Sequence, residues 1–490
     1  MTTTTARLDA QIEKHMEGIE AFSARFGLPL HVFFVEEMEA NIEAFRTVAA
    51  AHYPRTTIAF AVKSNPCRGA VRAAACLGLG ADVASEYELQ LALEEHMGPA
   101  TILCNGNAKS DDYLERAASA GCPIAVDNSD ELDALDALLH GTGRKAQVLL
   151  RFRGMPLAGL TSDDQTTAAD WTKFGFHIDE APALFARLAE AAALHFVGIS
   201  AHIGTQIAEP GGYERLLDHL LDLAQDAQSD GLNVEMIDIG GGFPVSFLSE
   251  DEWAAFQARL LARLRGDLGT SGAVTWNDIP MGYARTAGDE NPAWIGKAYW
   301  SRVPIARMHQ HLLGAITRDG RSVVERLHAL GDPTLVIEPG RSLMANAGIT
   351  LTEVMGVKRV LEHTVVSLDM GINNHGTNLI SPDIFPAAVL PRRESDTPEE
   401  AFLAGRLCFS GDMISKAKVD LNRLPKRGER FILYHTGAYS ADHFASNSCG
   451  FPRPAKVAIR PDGSAELWRA PETYKSVHGA PAEDLTILDV

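Results

Sequence analysis

Cysteine is scarce and scattered. Six residues (Cys67, Cys76, Cys104, Cys122, Cys408 and Cys449) are spread over 490, with no CxxC pair among them. That spacing excludes a disulfide framework and a zinc-ribbon site; no metal site is expected, and reduced thiols in a cytoplasmic location are. Basic residues are outnumbered as well, 44 Lys+Arg against 64 Asp+Glu, for a formal charge of −20. Neither a nucleic-acid backbone nor an anionic membrane is then an expected partner. No apolar run reaches about 18 residues, so no membrane-spanning helix is expected. The opening MTTTTARLDAQIEKHMEGIEAF lacks the basic-then-apolar pattern of a secretory signal.

What is present is a globular composition, 46% hydrophobic and 22% charged, which excludes disordered, collagen-like and repeat classes. At roughly 150 residues per domain the length suggests about three domains, or one barrel-sized domain with a smaller partner.

Short β-rich apolar runs alternate with longer segments of helical period. The runs are TIAFAV (57–62), ADVAS (81–85), TILCN (101–105), IAVDN (124–128), QVLLRF (147–152), FVGISAH (196–202), VEMIDIG (234–240) and TLVIE (334–338). Between them lie SEYELQLALEEH (85–96), with Ser85 as N-cap and Glu88 three residues on, DDYLERAASA (111–120) and GGYERLLDHLLDLAQDA (211–227). Buried parallel strands read as continuous apolar runs, and eight strands each followed by a helix make a (β/α)8 barrel. Polarity returns at the strand ends, with Lys63, Asp82, Asn105, Asp127, Arg151, His202, Gly240 and Glu338. In a barrel those positions form the C-terminal rim, where active sites sit.

Beyond about 345 the texture changes. VLEHTVVSL (360–368), RFILYH (430–435) and KVAIRPDGSAELWR (456–469) read as strands, the last a hairpin around Pro461-Asp462-Gly463, and HVFFVEE (31–37) reads as a strand that joins them. The expected organisation is an N-terminal segment over 1–36, a barrel over 37–345 with an insertion near 268–330, and a β domain over 346–490.

Three segments of the rim suit a phosphate. Gly240-Gly241-Gly242 ends the seventh strand with unobstructed N–H groups, and Glu338-Pro339-Gly340-Arg341 ends the eighth, where a guanidinium can fork onto phosphate oxygens; Thr205 adds a hydroxyl. A glycine triplet alone is more often a turn than a site. Lys63 ends an apolar strand, where burial favours the neutral amine a Schiff base needs; a lysine extending to the rim fits the same position. Glu338 can pair with a pyridine nitrogen, and His202 either stacks on a ring or is a satisfied core histidine. Together these groups converge on pyridoxal 5′-phosphate.

The segments AFAVKSNP, HIGTQI, IDIGGGFP, EPGRSL, CFSGD and TGAYS follow one another in this order. They resemble the motifs of the ornithine/diaminopimelate/arginine decarboxylases, the fold-type III pyridoxal-phosphate enzymes, over about 31 to 455, and diaminopimelate decarboxylase-like members most. The resemblance implies an α/β fold, a (β/α)8 TIM barrel of the alanine racemase-like type plus a C-terminal β-barrel or β-sandwich domain, working as a head-to-tail homodimer with active sites at the interface. It implies Lys63 as the Schiff-base lysine and His202 as the ring-stacking residue. Phosphate falls to Thr205, Gly240, Gly241, Gly242, Gly340, Arg341 and Tyr439, and the pyridine nitrogen to Glu338. Cys408 would reach from the second subunit to protonate Cα, and Asp82, Glu88 and Arg151 would support the cofactor site.

Two departures stand out. Where diaminopimelate decarboxylases carry a Glu after the cysteine and ornithine decarboxylases an Asp, this chain has Phe409. The segment resembling Arg-Pro-Ala-Leu-Tyr is here Ser381-Pro382-Asp383-Ile384-Phe385, without the Arg and Tyr that bind a distal carboxylate. An amine facing Phe409 would be unpaired at a cost of several kcal/mol, unless Asp412 or Asp383 supplies a displaced carboxylate. The stretch 275–300 adds Trp276, Tyr283, Trp294, Tyr299 and Trp300, either as a lid over the barrel mouth or as an insertion packed on its own domain.

The expected activity is decarboxylation of an amino acid that is neither meso-diaminopimelate nor ornithine. A racemase or epimerase of the same cofactor would carry an Arg in place of Glu338. A non-catalytic regulator would have lost Lys63, Glu338, Arg341 or Cys408, and a phosphosugar-binding barrel leaves the order of six motifs unexplained.

Overall fold

The computed structural model describes residues 3–156, 167–168, 170–267, 272–284, 292–294, 296–303, 305–376 and 383–479. Two compact units emerge: Glu37–Trp253 with Gly282–Met344, and Met1–Glu36 with Ala254–Met281 and Ala345–Val490.

The first unit is a closed parallel barrel. Its strands are Thr56–Ala61, Gly80–Val83, Ile102–Cys104, Ile124–Val126, Ala146–Arg153, Leu194–Ser200, Met236–Asp238 and Thr334–Ile337. Each pairs with the next, and the eighth closes on the first in the register Leu335↔Thr56. All eight expected strands are present. Their runs are apolar because both faces are covered: Ala59, Leu103, Ala125, Leu149, Val197 and Val336 fill one buried cluster.

Short polar caps set where the outer helices begin. Ser85 Oγ accepts the Glu88 N–H at 3.2 Å, Ser110 Oγ the Tyr113 N–H at 3.2 Å and Asn128 Oδ1 the Glu131 N–H at 3.0 Å. The helices at 85–96, 111–120 and 211–227 appear as Glu86–Glu94, Asp111–Ala120 and Pro210–Ser229. At the first of these the reciprocal bond differs from a capping box. The Glu88 carboxylate takes the N–H of Ala84, one residue earlier, at 2.8 Å.

The second unit is a nine-stranded sheet with an N-terminal helix, Thr3–Phe26. Leu30–Phe34 runs parallel to Ala455–Ile459 and antiparallel to Gly348–Val360. Leu8, Ile12 and Ile19 of the helix share a core with Leu30, Val32, Ile349 and Ile432. The 360–368 segment is not one strand. Gly348–Val360 and His363–Leu368 form a hairpin that turns at Leu361, whose φ is +53°. A second hairpin, Ala455–Ile459 with Ala465–Arg469, turns through Asp462, whose Oδ1 accepts the Ser464 N–H at 2.9 Å. Sequence reading passed over Ala387–Leu390, Glu399–Ala404 and Met413–Leu421.

Four aromatics of the insertion, Trp276, Tyr283, Trp294 and Tyr299, make ring contacts within their own units. In the sheet unit Trp276 meets Phe402 edge-on at 5.2 Å. In the barrel unit Trp294 contacts Tyr283 at 5.1 Å and Trp253 at 4.9 Å, and Trp253 lies 5.6 Å from the buried Tyr299. The segment also grips the rim. Gln206 Nε2 donates to Ala298 O at 2.9 Å, and Tyr299 O accepts the Phe247 N–H at 2.9 Å. Among the described residues this stretch braces the loops after strands six and seven.

Candidate active site

The barrel's C-terminal rim gathers acids that a globular core would exclude. Lys63 sits in the single turn Val62–Ser64 directly after the first strand, and its ammonium pairs with the fully buried Asp82. The other Asp82 oxygen accepts Asn105 Nδ2 at 2.7 Å, and the same amide nitrogen lies 2.5 Å from Glu338 Oε1. Asn105 thus spends its two N–H bonds on two carboxyl groups from strands on either side of Lys63. Asp238, two residues before the glycines, accepts Ser200 Oγ at 2.6 Å and the Gly240 N–H at 2.9 Å.

Burial sets the protonation of this cluster. It pushes the Glu338 carboxyl well above the usual range, helped by Asp238 and Asp82, and lifts Asp238 to about 6. Glu88 rises to about 7 for the same reason. His202 is held down at about 3 by burial and by Lys63 and Arg151. Its Nδ1 accepts the Gly204 N–H at 3.1 Å, so the neutral ring carries its proton on Nε2. Arg151 lies 3.7 Å from Asp127 and has its guanidinium 4.3 Å above the Phe174 ring.

The glycine triplet is required by close approach. A Cβ on Gly240 would sit 2.6 Å from the His202 ring, and one on Gly241 would be 2.3 Å from the Glu338 carbonyl oxygen. The Glu338 N–H bonds Gly240 O at 2.9 Å and Tyr213 Oη bonds Gly241 O at 2.8 Å, which leaves the Gly241 and Gly242 N–H groups without a protein acceptor among the described residues. Thr205 lies in the adjoining loop, partly exposed, and Gly340 precedes the short helix that begins with the buried Arg341.

Residues 38–266 match the model of the pyridoxal-binding domain of pyridoxal-dependent decarboxylases. That region is that of a fold-type III pyridoxal-phosphate decarboxylase. The diaminopimelate decarboxylase of Pseudomonas aeruginosa is 28% identical, with 96% of each chain covered. An uncharacterized protein of Sinorhizobium fredii is 27% identical over 93% of each. Among solved structures, the M. jannaschii diaminopimelate decarboxylase crystallised with L-lysine shares the fold at a TM-score of 0.74, with 21% identity and 95% and 94% coverage. The Paramecium bursaria Chlorella virus arginine decarboxylase does so at 0.66, with 17% identity and 91% and 99% coverage.

The family's cofactor is pyridoxal phosphate, and this decarboxylase's rim fits it. Free N–H groups at Gly241 and Gly242 with a nearby arginine suit a phosphate, and a buried carboxyl that holds its proton can share it with a ring nitrogen. Lys63, paired with Asp82, brings a lysine amine to that cluster. Ser200 and Asp238 join the site without having been singled out for it, and Asn105, read in the sequence only as a rim position, links two of its acids. The Asp238-Ile239-Gly240 spacing was the signal available.

Cys408, Phe409, Asp412, Asp383 and Tyr439 belong to the sheet unit. Cys408 is an exposed free thiol and Phe409 is 55% exposed beside it. Asp412 is buried, with Oδ1 accepting the Ile372 N–H and Oδ2 the Leu407 N–H, both at 2.7 Å. Asp383 is fully buried near His375. Both carboxylates are buried within the sheet unit. Tyr439 is partly exposed at φ +62°, with its ring 5.4 Å from His443. Ser381 and Pro382 lie outside the described residues.

Proposed function

We propose that this enzyme decarboxylates an α-amino acid whose distal group carries no charge. It is a pyridoxal-phosphate-dependent amino-acid decarboxylase, and the observation that carries the finer reading is Phe409 in a turn whose only carboxylate, Asp412, is closed off by two backbone N–H groups. A charged amine brought to that surface would lack a partner, at a cost of several kcal/mol. An apolar or neutral side chain would not.

Bound pyridoxal phosphate supplies an electron sink for the pair left behind when CO2 departs. The residues of the chain do the rest. Lys63 provides the amine that secures the cofactor, and Asp82 holds that amine in place. Gly241, Gly242, Thr205 and Arg341 would bind the phosphate. Glu338, fixed by Asn105, would pair with the ring nitrogen, and neutral His202 would stack on the ring and keep water away. Arg151 with Glu88 supports the acid cluster. Cys408 donates its S–H proton to Cα from a second copy, so the functional form is a head-to-tail homodimer, in a reducing cytoplasm that suits six free cysteines.

The test is an incubation in D2O with pyridoxal phosphate and a panel of L- and D-amino acids, followed by mass spectrometry. An amine with one deuterium at the former Cα, formed from a substrate with an uncharged side chain, is expected. Strong turnover of meso-diaminopimelate or ornithine would refute the substrate reading. Deuterium in an amino acid that keeps its carboxylate would mean racemisation.

A further inference from the structure

The turn that carries Cys408 is unusually well tied down for an exposed segment. Asp412 closes it in four ways. Its carboxylate takes the Leu407 N–H from within the turn and the Ile372 N–H from a segment 40 residues away, each at 2.7 Å. Its carbonyl accepts the Gly405 N–H at 2.9 Å, and its own N–H donates to Phe409 O at 3.1 Å. Gly405 is needed for this closure, since a Cβ there would fall 2.2 Å from an Asp412 oxygen. Beside it, the Arg406 N–H bonds Met370 O at 3.0 Å, and the Arg406 guanidinium pairs with Asp369 and lies 3.8 Å over the Phe451 ring.

The pair Cys408-Phe409 is therefore held at both ends while both residues remain exposed. A surface turn has no stability requirement for a buried carboxylate of this kind. Its desolvation is offset only by N–H bonds that fix two chain segments together.

We propose that Asp412 is a positioning residue for the Cys408 thiol, holding the 405–412 turn against residues 370–372 so that the proton is delivered from one direction. The inference rests on the proton-donating role of Cys408 given above. In that step the S–H bond breaks and a C–H bond forms at Cα with the electron pair released by the departing carboxylate, leaving a thiolate. A donor held in one orientation delivers to one face, so the amine formed in D2O is a single enantiomer at its deuterated carbon.

The test compares wild-type, Asp412→Asn and Cys408→Ala holoenzymes in D2O, using the amino acid of the panel that releases most CO2. Asp412→Asn keeps one acceptor and turns an N–H donor toward the other amide. It is expected to retain cofactor and a KM within about twofold, to lose roughly 10- to 100-fold in kcat, and to give stereochemically mixed deuterium. Cys408→Ala is expected to scramble the label as well. Asp412→Asn with unchanged kcat and a single enantiomer, beside a scrambling Cys408→Ala, overturns the positioning role alone. A Cys408→Ala enzyme that keeps both rate and stereochemistry overturns the thiol's role and this inference with it. Should Asp412→Asn not fold, amide exchange of the wild-type enzyme decides: unprotected Ile372 and Leu407 N–H groups would refute the clamp.

Discussion

Asn105 Nδ2 lies 2.5 Å from Glu338 Oε1, so the buried acid of the eighth strand is oriented by an amide from the end of the third. The same nitrogen serves Asp82, which makes Asn105 the link between the group that pairs with Lys63 and the group assigned to the cofactor ring. Replacing it by leucine leaves two buried carboxyls short of a donor, at about 1–3 kcal/mol for each unsatisfied group. Asn105→Leu is expected to lower the thermal midpoint of the holoenzyme and to release cofactor faster. Calorimetry and absorbance during dialysis check both, and an unchanged cofactor off-rate would count against the link.

Gly241 has no room for a methyl group. The atom it would strike is a backbone oxygen, Glu338 O at 2.3 Å, which cannot swing aside as a side chain can. Gly241→Ala should force the seventh and eighth strands apart, with a loss of about 1–3 kcal/mol and a weakening of cofactor affinity by an order of magnitude or more. Titration of the apoenzyme with pyridoxal phosphate measures it.

Gln206 ties two rim loops to the insertion. Its Nε2 donates to Val245 O at 3.0 Å and Ala298 O at 2.9 Å, and its Oε1 accepts the Val245 N–H at 2.8 Å. Gln206→Leu removes all three bonds in a buried setting. The expected result is weaker cofactor binding, with kcat at saturating cofactor reduced less than about threefold. A kcat loss with intact affinity would instead favour a direct role for the insertion over the substrate.

Acid should destabilise the sheet unit through its histidines. Burial holds His375 at about 4 and His435 at about 3, against 6.5 for an exposed imidazole. Below pH 6.5 the unfolded chain takes up these protons while the folded chain does not. The stability they contribute is complete above 6.5 and declines as pH falls toward 4 and then 3, by up to about 1.4 kcal/mol per group per pH unit. In the barrel, Glu88 at about 7 and Asp238 at about 6 work in the opposite sense. Their contribution is present below the ordinary carboxylate range and fades as pH rises through 6 to 7. Thermal scans from pH 7.5 to 4.5 should show His375→Phe losing less stability on acidification than wild type; parallel curves would refute the assignment.

All eight barrel strands and most of the rim were legible in the chain itself. A parallel strand covered on both faces must be apolar along its length, and polarity can return only where it ends. Lys63, Asp82, His202 and Glu338 stand out for that reason. The sheet unit was less legible. Ala387–Leu390 is a four-residue strand, and Glu399–Ala404, parallel to His363–Leu368 on one side, meets Met413–Leu421 antiparallel with register shifts, so their patterns are short and broken. Tertiary structure alone decided the fates of Asp412 and Asn105. Whether a carboxylate meets a ligand or a backbone amide depends on which N–H groups arrive beside it, and those of Ile372 and Leu407 come from separate stretches of chain. Local sequence sets hydrophobic pattern and turn chemistry. The partner of a buried polar atom is set by long-range closure of the fold, which no spacing of residues along the chain records.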